Sequence, residues 1–203
     1  MTPTFPVMGV VRHRLGIDGK GVTTLVGAYG CPLRCRYCLN KACWQPPGNR
    51  ITPQALYDRV RIDDLYFQAT GGGITFGGGE PLLYADFIHE FRRICGNTWK
   101  INLETCLNVA RDSLLTVLED VDFYIVDIKD INPQIYRSYT GQDNAQVLEN
   151  LRFLAQKDPQ KIRVRVPLIA DFNTREDMKR SAKWLKQEGI QDIEVFAYRV
   201  NNR

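Results

Sequence analysis

The chain has 203 residues, a length that suits one domain with a full hydrophobic core. Hydrophobic residues make up 44% and charged residues 25%, with a net charge of +4, which is typical of a globular protein. There is no basic stripe or nucleic-acid-binding module and no run of 18 apolar residues, so neither a nucleic acid nor a membrane is an expected partner. The first 14 residues lack the apolar segment of a secretory signal, so we expect a cytoplasmic location.

Hydrophobic periodicity predicts an alternation of strands and helices along the chain. Strands are predicted at residues 22–29, 74–76, 99–103, 123–128, 161–169 and 193–197. Helices are predicted at residues 53–69, 84–95, 111–119, 133–139, 145–156 and 174–188. Six such strand–helix units predict an α/β fold, an incomplete (β/α)6 TIM-like barrel with a parallel sheet. Since no repeat or linker is visible, one domain is expected over residues 1–203.

A cysteine-rich loop follows the first predicted strand. Cys31, Cys35 and Cys38 have C-x3-C-x2-C spacing, which can wrap a cubane iron–sulfur cluster. Cubanes normally take four cysteines, so three ligands leave one iron open to bind a reacting molecule. The alternatives are a structural zinc site with Cys43 as fourth ligand, although its spacing fits no common zinc pattern, or inert thiols. Disulfides are disfavoured because no secretory signal accompanies the six cysteines.

The chain resembles the radical S-adenosylmethionine (SAM) enzymes over nearly its whole length, from Gly9 to Tyr198. Within them it is most similar to the glycyl-radical-enzyme activating enzymes, the group that includes the pyruvate formate-lyase activating enzymes. Besides the cysteine loop, the matching segments are residues 17–21, 69–81, 122–129, 139–141 and 163–169.

The resemblance implies one 4Fe–4S cluster on the three cysteines, with SAM on the open iron. One electron would cleave SAM to methionine and a 5′-deoxyadenosyl radical, which would take a hydrogen atom from a backbone glycine of a partner glycyl radical enzyme such as pyruvate formate-lyase. It also implies anaerobic metabolism, a flavodoxin or ferredoxin-type electron donor, and no catalytic residue beyond the cluster and SAM. The stretch 41–51 is too short for an extra ferredoxin-like domain, so Cys43, Cys95 and Cys106 are expected to be ordinary thiols.

Two segments are expected to contact the amino acid part of SAM. Gly78, Gly79 and Glu80 follow the second strand and resemble the family motif for the SAM amino group. Glycines let a backbone approach a ligand closely, although a plain glycine turn is the alternative. Asn40, two residues after Cys38, also matches a family position near SAM.

Charged residues are predicted on the fourth and fifth strands. Strand alternation places Asp127 and Lys129 on one face of the fourth strand, and Lys129 resembles the family lysine that meets the SAM carboxylate. The alternative is an exposed pair beyond the strand end. Arg165 alternates with two valines on the fifth strand and resembles a family residue near SAM.

Glu104 and Thr105 end the third strand, where the family commonly has Asp-Thr. Together with Asp127 they could hold a hard monovalent cation through oxygen ligands, and both carboxylates are also expected near SAM. Asp18 and Gly19 precede the first predicted strand, in a segment similar to a family motif or in a simple turn.

Departures from the family leave the identity of the partner open. Leu39 replaces a histidine after the third cysteine, residues 170–171 are Ala-Asp instead of Pro-Gly, and Arg199 replaces a histidine. The chain ends soon after the sixth strand and shows no lid, so we expect a loop of a partner protein to enter the open barrel and seal it. The alternatives are a radical SAM enzyme that acts on a small molecule or peptide, and a non-catalytic iron–sulfur electron carrier or scaffold.

Overall fold

A computed structural model describes residues 2–198 of the chain. The strands in this part are β1 (Phe5–Leu15), β2 (Val22–Ala28), β3 (Arg50–Ile51), β4 (Gly73–Gly78), β5 (Lys100–Thr105), β6 (Phe123–Asp127), β7 (Ile162–Leu168) and β8 (Asp192–Ala197). The α-helices are α1 (Pro53–Val60), α2 (Asp64–Thr70), α3 (Ala85–Cys95), α4 (Arg111–Thr116), α5 (Pro133–Thr140), α6 (Ala145–Lys157) and α7 (Arg175–Gln187). The strand order is β3-β1-β2-β4-β5-β6-β7-β8. All six predicted strands are present, and the predicted parallel α/β class is confirmed.

The first and third strands were not predicted. β1 pairs antiparallel with β2 along most of its length, and β3 pairs antiparallel with β1 at Phe5 and Pro6. Two register shifts interrupt the pairing of β1, and most of its residues beyond Pro6 are exposed or half-buried. Period-2 alternation is therefore weak in this segment, which explains why the pattern alone did not reveal a strand.

The described residues form two compact units. The first comprises the described residues up to Cys31, together with Asn40–Thr105 and Val109–Ile125. The second comprises Pro32–Leu39, Cys106–Asn108 and the described residues from Val126 onward. The expectation of a single domain over residues 1–203 stays a prediction.

An aromatic cluster fills the core of the first unit. Phe5, Phe76 and Phe91 are fully buried, with ring centroids 5.5 Å apart in both the Phe5–Phe76 and the Phe76–Phe91 pair. Trp99 stacks on Tyr57 at 5.0 Å and donates a hydrogen bond to Asp64 at 2.6 Å. Edge-to-face and stacked rings of this kind stabilise a core beyond their buried area.

The helix predicted over residues 53–69 is divided in two. Thr52 caps α1 by accepting from the amide of Ala55, as its position before a proline predicts. A 3-10 turn, Arg61–Asp63, then separates α1 from α2. The turn draws Asp63 into the core, where its carboxylate accepts from Thr24 at 2.8 Å. A tertiary contact therefore overrides the helical pattern.

The second unit contains the parallel pair β7 and β8 and the helices α5, α6 and α7. Val164 and Val166 of β7 and Leu185 of α7 are buried. α7 begins with a capping box in which Thr174 and Asp177 exchange hydrogen bonds. The predicted ends of α5, α6 and α7 each lie within one residue of the observed ends.

Among residues 2–198, no helix has both the length and the apolar character needed to cross a lipid bilayer.

Candidate active site

The cysteine loop leaves the first unit directly after β2. Gly30, whose φ of +89° suits glycine, donates its amide to the carbonyl of Cys43 at 2.8 Å. Its own carbonyl accepts from the amide of Glu80 at 2.7 Å. The hydroxyl of Tyr84 donates to the carbonyl of Tyr29 at 2.9 Å. The backbone that carries Cys31 is therefore held by three separate segments of this unit.

The other two cysteines lie in the second unit. The amide of Cys38 donates to the carbonyl of Cys35 at 3.2 Å, so the two residues stand at the ends of one tight turn. The amides of Arg34 and Arg36 donate to the carbonyls of Thr140 and Tyr139, at 2.9 and 3.0 Å. Tyr139 and Thr140 belong to a segment that the sequence matched to the family, and their backbone supports the loop.

The environments of the six cysteines divide them into two sets. Cys31, Cys35 and Cys38 are half-buried, whereas Cys43, Cys95 and Cys106 are buried, and none of the six forms a disulfide. Burial raises the pKa of the Cys95 thiol to about 11, so it stays protonated and unreactive at neutral pH. The three accessible thiols are those predicted to be ligands, and the buried ones agree with the predicted ordinary thiols.

No group of three or more His, Cys, Asp or Glu side chains converges for a metal ion in residues 2–198. In a cubane each thiolate binds a different iron of one cluster, so its ligands are spread more widely than those of a single metal ion. The three half-buried cysteines remain the candidate ligands of a cubane, and this assignment stays a prediction. The proposed monovalent cation site stays a prediction.

The Gly78–Gly79–Glu80 segment closely approaches the end of β2. A Cβ on Gly78 would lie 2.7 Å from the Cα of Gly27, and a Cβ on Gly79 would lie 2.0 Å from the carbonyl oxygen of Gly30. Only glycine fits these two positions. The side-chain amide of Asn40 donates to the carbonyl of Gly78 at 3.2 Å. The structure thus brings together two of the segments expected to contact SAM.

Glu80 is fully buried and fixed by hydrogen bonds. Its Oε1 accepts from Thr105 Oγ1 at 2.8 Å and from the amide of Leu82 at 3.1 Å. Glu104 and Thr105 end β5, as predicted, and Glu104 lies beside Gly77, where an added Cβ would be 3.1 Å from Glu104 Oε2. Several predicted residues of this unit are therefore neighbours, namely Asn40, Gly78, Glu80 and Thr105.

A second group of predicted residues lies in the second unit. β6 ends at Asp127, so the prediction that Lys129 lies on that strand is wrong, and Lys129 follows the strand by two residues. Its ammonium Nζ lies 3.3 Å from Asp127 Oδ2. The Lys129 side chain is only 15% exposed, whereas that of Asp127 is 38% exposed. The alternative of a solvent-exposed pair therefore fails for the lysine.

The charge state of Lys129 follows from its neighbours. Burial alone would lower the pKa of its ammonium group, but the negative charges at Asp127 and Cys35 outweigh burial, so the pKa lies well above its usual value. Lys129 is therefore a buried cation whose charge interacts with Cys35. Such a cation is suited to hold a carboxylate.

Arg165 lies on β7, as predicted, between the buried residues Val164 and Val166. Its guanidinium lies 3.9 Å from Asp127 and 3.6 Å from Glu194. Sequence reasoning missed Glu194, although it stands directly opposite Arg165 in the β7–β8 register. The pairing of adjacent parallel strands was the signal that could have found it.

The Asp18–Gly19 segment packs into the core of the first unit. Asp18 is fully buried and paired with Arg14, and its carbonyl accepts from Thr75 at 2.8 Å. A Cβ on Gly19 would lie 2.5 Å from the side chain of Asn102. The segment is therefore not a simple exposed turn. Arg199, one of the departures from the family, lies outside the described residues.

A sequence profile described as the radical SAM superfamily matches residues 25–185. The chain belongs to the radical SAM superfamily. Members of this superfamily use a 4Fe–4S cluster and SAM, so the chain is a radical SAM enzyme. The expected family and these two cofactors are confirmed.

Curated relatives indicate a subgroup within the radical SAM superfamily. The chain is 30% identical over 191 residues to the pyruvate formate-lyase 1-activating enzyme of Escherichia coli strain K12, which covers 90% of this chain and 76% of the relative. It is 30% identical over 192 residues to the pyruvate formate-lyase-activating enzyme of Listeria monocytogenes, covering 90% and 77%. These matches place the radical SAM chain among the relatives of the activating enzymes.

Two solved structures share the fold of this chain. Streptococcus suis SuiB bound to S-adenosylmethionine has a TM-score of 0.67 and 13% identity, covering 86% of this chain and 39% of SuiB. The chain thus spans about two fifths of SuiB. A radical SAM methyltransferase from Sphaerobacter thermophilus has a TM-score of 0.59 and 15% identity, covering 96% and 78%. At such identities the likeness shows the fold, which confirms the predicted partial-barrel class.

Proposed function

We propose that this radical SAM enzyme generates a glycyl radical on a partner protein, a glycyl radical enzyme of the pyruvate formate-lyase type. One observation carries the proposal: 30% identity over 191 residues with a pyruvate formate-lyase 1-activating enzyme, across 76% of that relative. The matched region includes the cysteine loop and the segments that flank it. We also propose a flavodoxin or ferredoxin-type electron donor and a cytoplasmic location.

The cluster ligands in this proposal are Cys31, Cys35 and Cys38. A reduced cluster bound there would supply one electron to the sulfonium of SAM, which would give methionine and a 5′-deoxyadenosyl radical that takes a hydrogen atom from the glycine Cα. The products are 5′-deoxyadenosine and a glycyl radical. The chain itself positions these cysteines through backbone hydrogen bonds, in particular at the tight turn from Cys35 to Cys38.

The remaining residues would orient SAM. In the first unit, Gly78, Gly79 and Asn40 present backbone and amide groups suited to the SAM amino group, while Glu80 fixes their turn. In the second unit, Lys129 is a buried cation suited to the SAM carboxylate, and Arg165 and Asp127 hold one another beside it. Glu104, Thr105 and Asp127 remain the proposed cation ligands.

The experiment uses the anaerobically reconstituted protein with dithionite, SAM and a glycyl radical enzyme from the same genome. A doublet in the electron paramagnetic resonance spectrum, altered by α-carbon deuteration of glycine, supports the proposal. The Cys38→Ala variant, which should lack the cluster, is the matched control and should give no doublet. If no glycyl radical enzyme of that genome is activated while a small metabolite or peptide is consumed together with SAM, the substrate proposal is wrong.

A further inference from the structure

Asp171 has a backbone conformation that is unusual for a residue with a side chain. It lies three residues after the end of β7 and has a φ of +67°. Glycine adopts such angles freely, whereas a Cβ makes them unfavourable, although aspartate tolerates them better than most residues. The fold needs a left-handed residue here, and the chain supplies one with a carboxylate.

The carboxylate of Asp171 contacts the cysteine loop. The hydroxyl of Tyr37 donates a hydrogen bond to Asp171 Oδ2 at 2.9 Å. Tyr37 immediately precedes Cys38 and lies within the tight turn from Cys35 to Cys38. All of these residues belong to the second unit. Asp171 therefore ties the end of β7 to the loop that carries two of the three proposed cluster ligands.

The ring of Tyr37 is also fixed by its neighbours. It packs edge-to-face on Phe172 at 5.6 Å and on Tyr139 at 6.3 Å, and Phe172 packs on Tyr139 at 5.0 Å. The carbonyl of Tyr37 accepts from the hydroxyl of Tyr198 at 2.6 Å. The aromatic packing restrains the Tyr37 ring, and the bond from Tyr198 restrains its backbone. The hydrogen bond to Asp171 restrains the third part of the residue, its hydroxyl group.

We propose that Asp171 is a positioning residue that holds the Cys35–Cys38 turn in its cluster-binding shape before the cluster is loaded. The inference rests on the proposed assignment of Cys35 and Cys38 as ligands. A loop that is ordered in advance loses less conformational entropy when it binds, so it captures its ligand more readily and releases it more slowly. On this interpretation, the unfavourable left-handed backbone of Asp171 is tolerated because it directs the carboxylate toward Tyr37.

The first test measures amide hydrogen exchange in the full chain without cluster, SAM or partner. Asp171→Gly removes the carboxylate and suits the left-handed backbone. We expect exchange in the segment 34–38 to become several-fold faster, because the lost hydrogen bond is exposed to solvent and contributes less than a buried one. The thermal midpoint should change little, because two effects of glycine on stability oppose each other. Glycine removes the unfavourable backbone energy of the folded state, but it increases the conformational entropy of the unfolded chain.

Companion variants separate positioning from a general structural role. Tyr37→Phe should accelerate exchange in the same segment to the same extent, and the double variant should add nothing further. Asp171→Asn, which tolerates a positive φ and keeps an acceptor oxygen, should restore slow exchange. Tyr66→Phe is the control, because this exposed tyrosine lies in the other unit and should leave the segment unchanged.

The second test measures how fast the reconstituted protein loses its cluster after an iron chelator is added, from the decrease in visible absorbance. Asp171→Gly and Tyr37→Phe should lose it several-fold faster, whereas Asp171→Asn should match the parent. Unchanged exchange in both loosening variants, or faster exchange spread over the whole chain together with a lower thermal midpoint, would overturn the proposal. Since exchange requires no radical chemistry, absence of a glycyl radical would contradict only the proposed function.

Discussion

Thr105 at the end of β5 donates a hydrogen bond at 2.8 Å to Glu80, the fully buried carboxylate that follows β4. The same oxygen, Glu80 Oε1, accepts from the amide of Leu82 and so caps the turn after the glycines. A buried carboxylate is stable only while its hydrogen bonds are present. The geometry of the glycine segment therefore depends on a side chain of the neighbouring strand.

Replacing Thr105 with the isosteric valine should lower the free energy of unfolding by about 2 kcal/mol, because the buried Glu80 carboxylate loses a donor. Urea denaturation of the two proteins measures the difference. Thr116→Val is the control, since Thr116 is an exposed threonine of α4 and its replacement should change stability by less than about 0.5 kcal/mol. Equal effects of the two substitutions would contradict a special role for the Thr105 bond.

Iron content should distinguish the two sets of cysteines. Alanine at Cys31, Cys35 or Cys38 should abolish iron binding, because a cubane on three protein thiolates cannot lose one of them. Alanine at Cys43, Cys95 or Cys106 should leave about four irons per chain, the content of one cubane. Colorimetric iron analysis after anaerobic reconstitution measures both. Loss of iron in the Cys43 variant would show that the three-ligand assignment is wrong.

Lys129→Ala should weaken SAM binding roughly tenfold or more, since a charge-assisted contact to a carboxylate contributes about 1.5–3 kcal/mol. Equilibrium binding of SAM to the reconstituted protein measures the loss. Lys157→Ala is the matched control, because this lysine ends α6, where its ammonium lies over the ring of Phe153. An unchanged SAM affinity in Lys129→Ala would remove Lys129 from the site.

The buried carboxylate of Asp63 should make stability depend on pH. Burial acts to raise its pKa, but hydrogen bonds from Arg12 and Thr24 and the charge of Arg12 outweigh burial, so the pKa in the folded protein lies below its ordinary value. The contribution is therefore complete above the unfolded pKa of about 3.9 and is lost as the pH falls through the folded pKa. His13, 3.0 Å away, also faces this carboxylate.

Asp63→Asn should accordingly lower stability at neutral pH by about 2 kcal/mol. The difference from the parent protein should shrink below about pH 4. Urea denaturation between pH 2.5 and 7 measures that difference, and taking the difference cancels the titration of the other carboxylates. A stability difference that stays constant from pH 2.5 to 7 would contradict the conclusion that folding lowers the pKa of Asp63.

Gly79→Ala should disrupt the glycine segment, because the new Cβ would lie 2.0 Å from the carbonyl oxygen of Gly30 and backbone must move. We expect a lower thermal midpoint and weaker binding of SAM to the reconstituted protein. Gly48→Ala is the matched control, since no atom lies within 4 Å of its added Cβ and it should behave as the parent. If both alanine variants bind SAM equally well, close approach at Gly79 is not needed.

Local patterns predicted the features that depend on neighbouring residues. Apolar runs located six strands of the sheet, and the spacing of three cysteines identified the loop that carries the proposed ligands. Lys129 was wrongly placed on β6, because tertiary contacts decide where a strand stops. The Tyr37–Asp171 contact joins residues 134 positions apart, and a single sequence contains no local signal for such a pair.

The long strand β1 has a consequence for behaviour at high concentration. On the side away from β2, its pairing in the described part of the chain is confined to residues near its start, so a row of backbone groups beyond Val7 faces outward. Such an edge can recruit strands of other molecules into aggregates. The register shifts at Val7/Gly9 and at Val11/Arg14 interrupt the regular strand geometry that another strand would need for pairing. These two register shifts should keep the enzyme monodisperse when it is concentrated without oxygen.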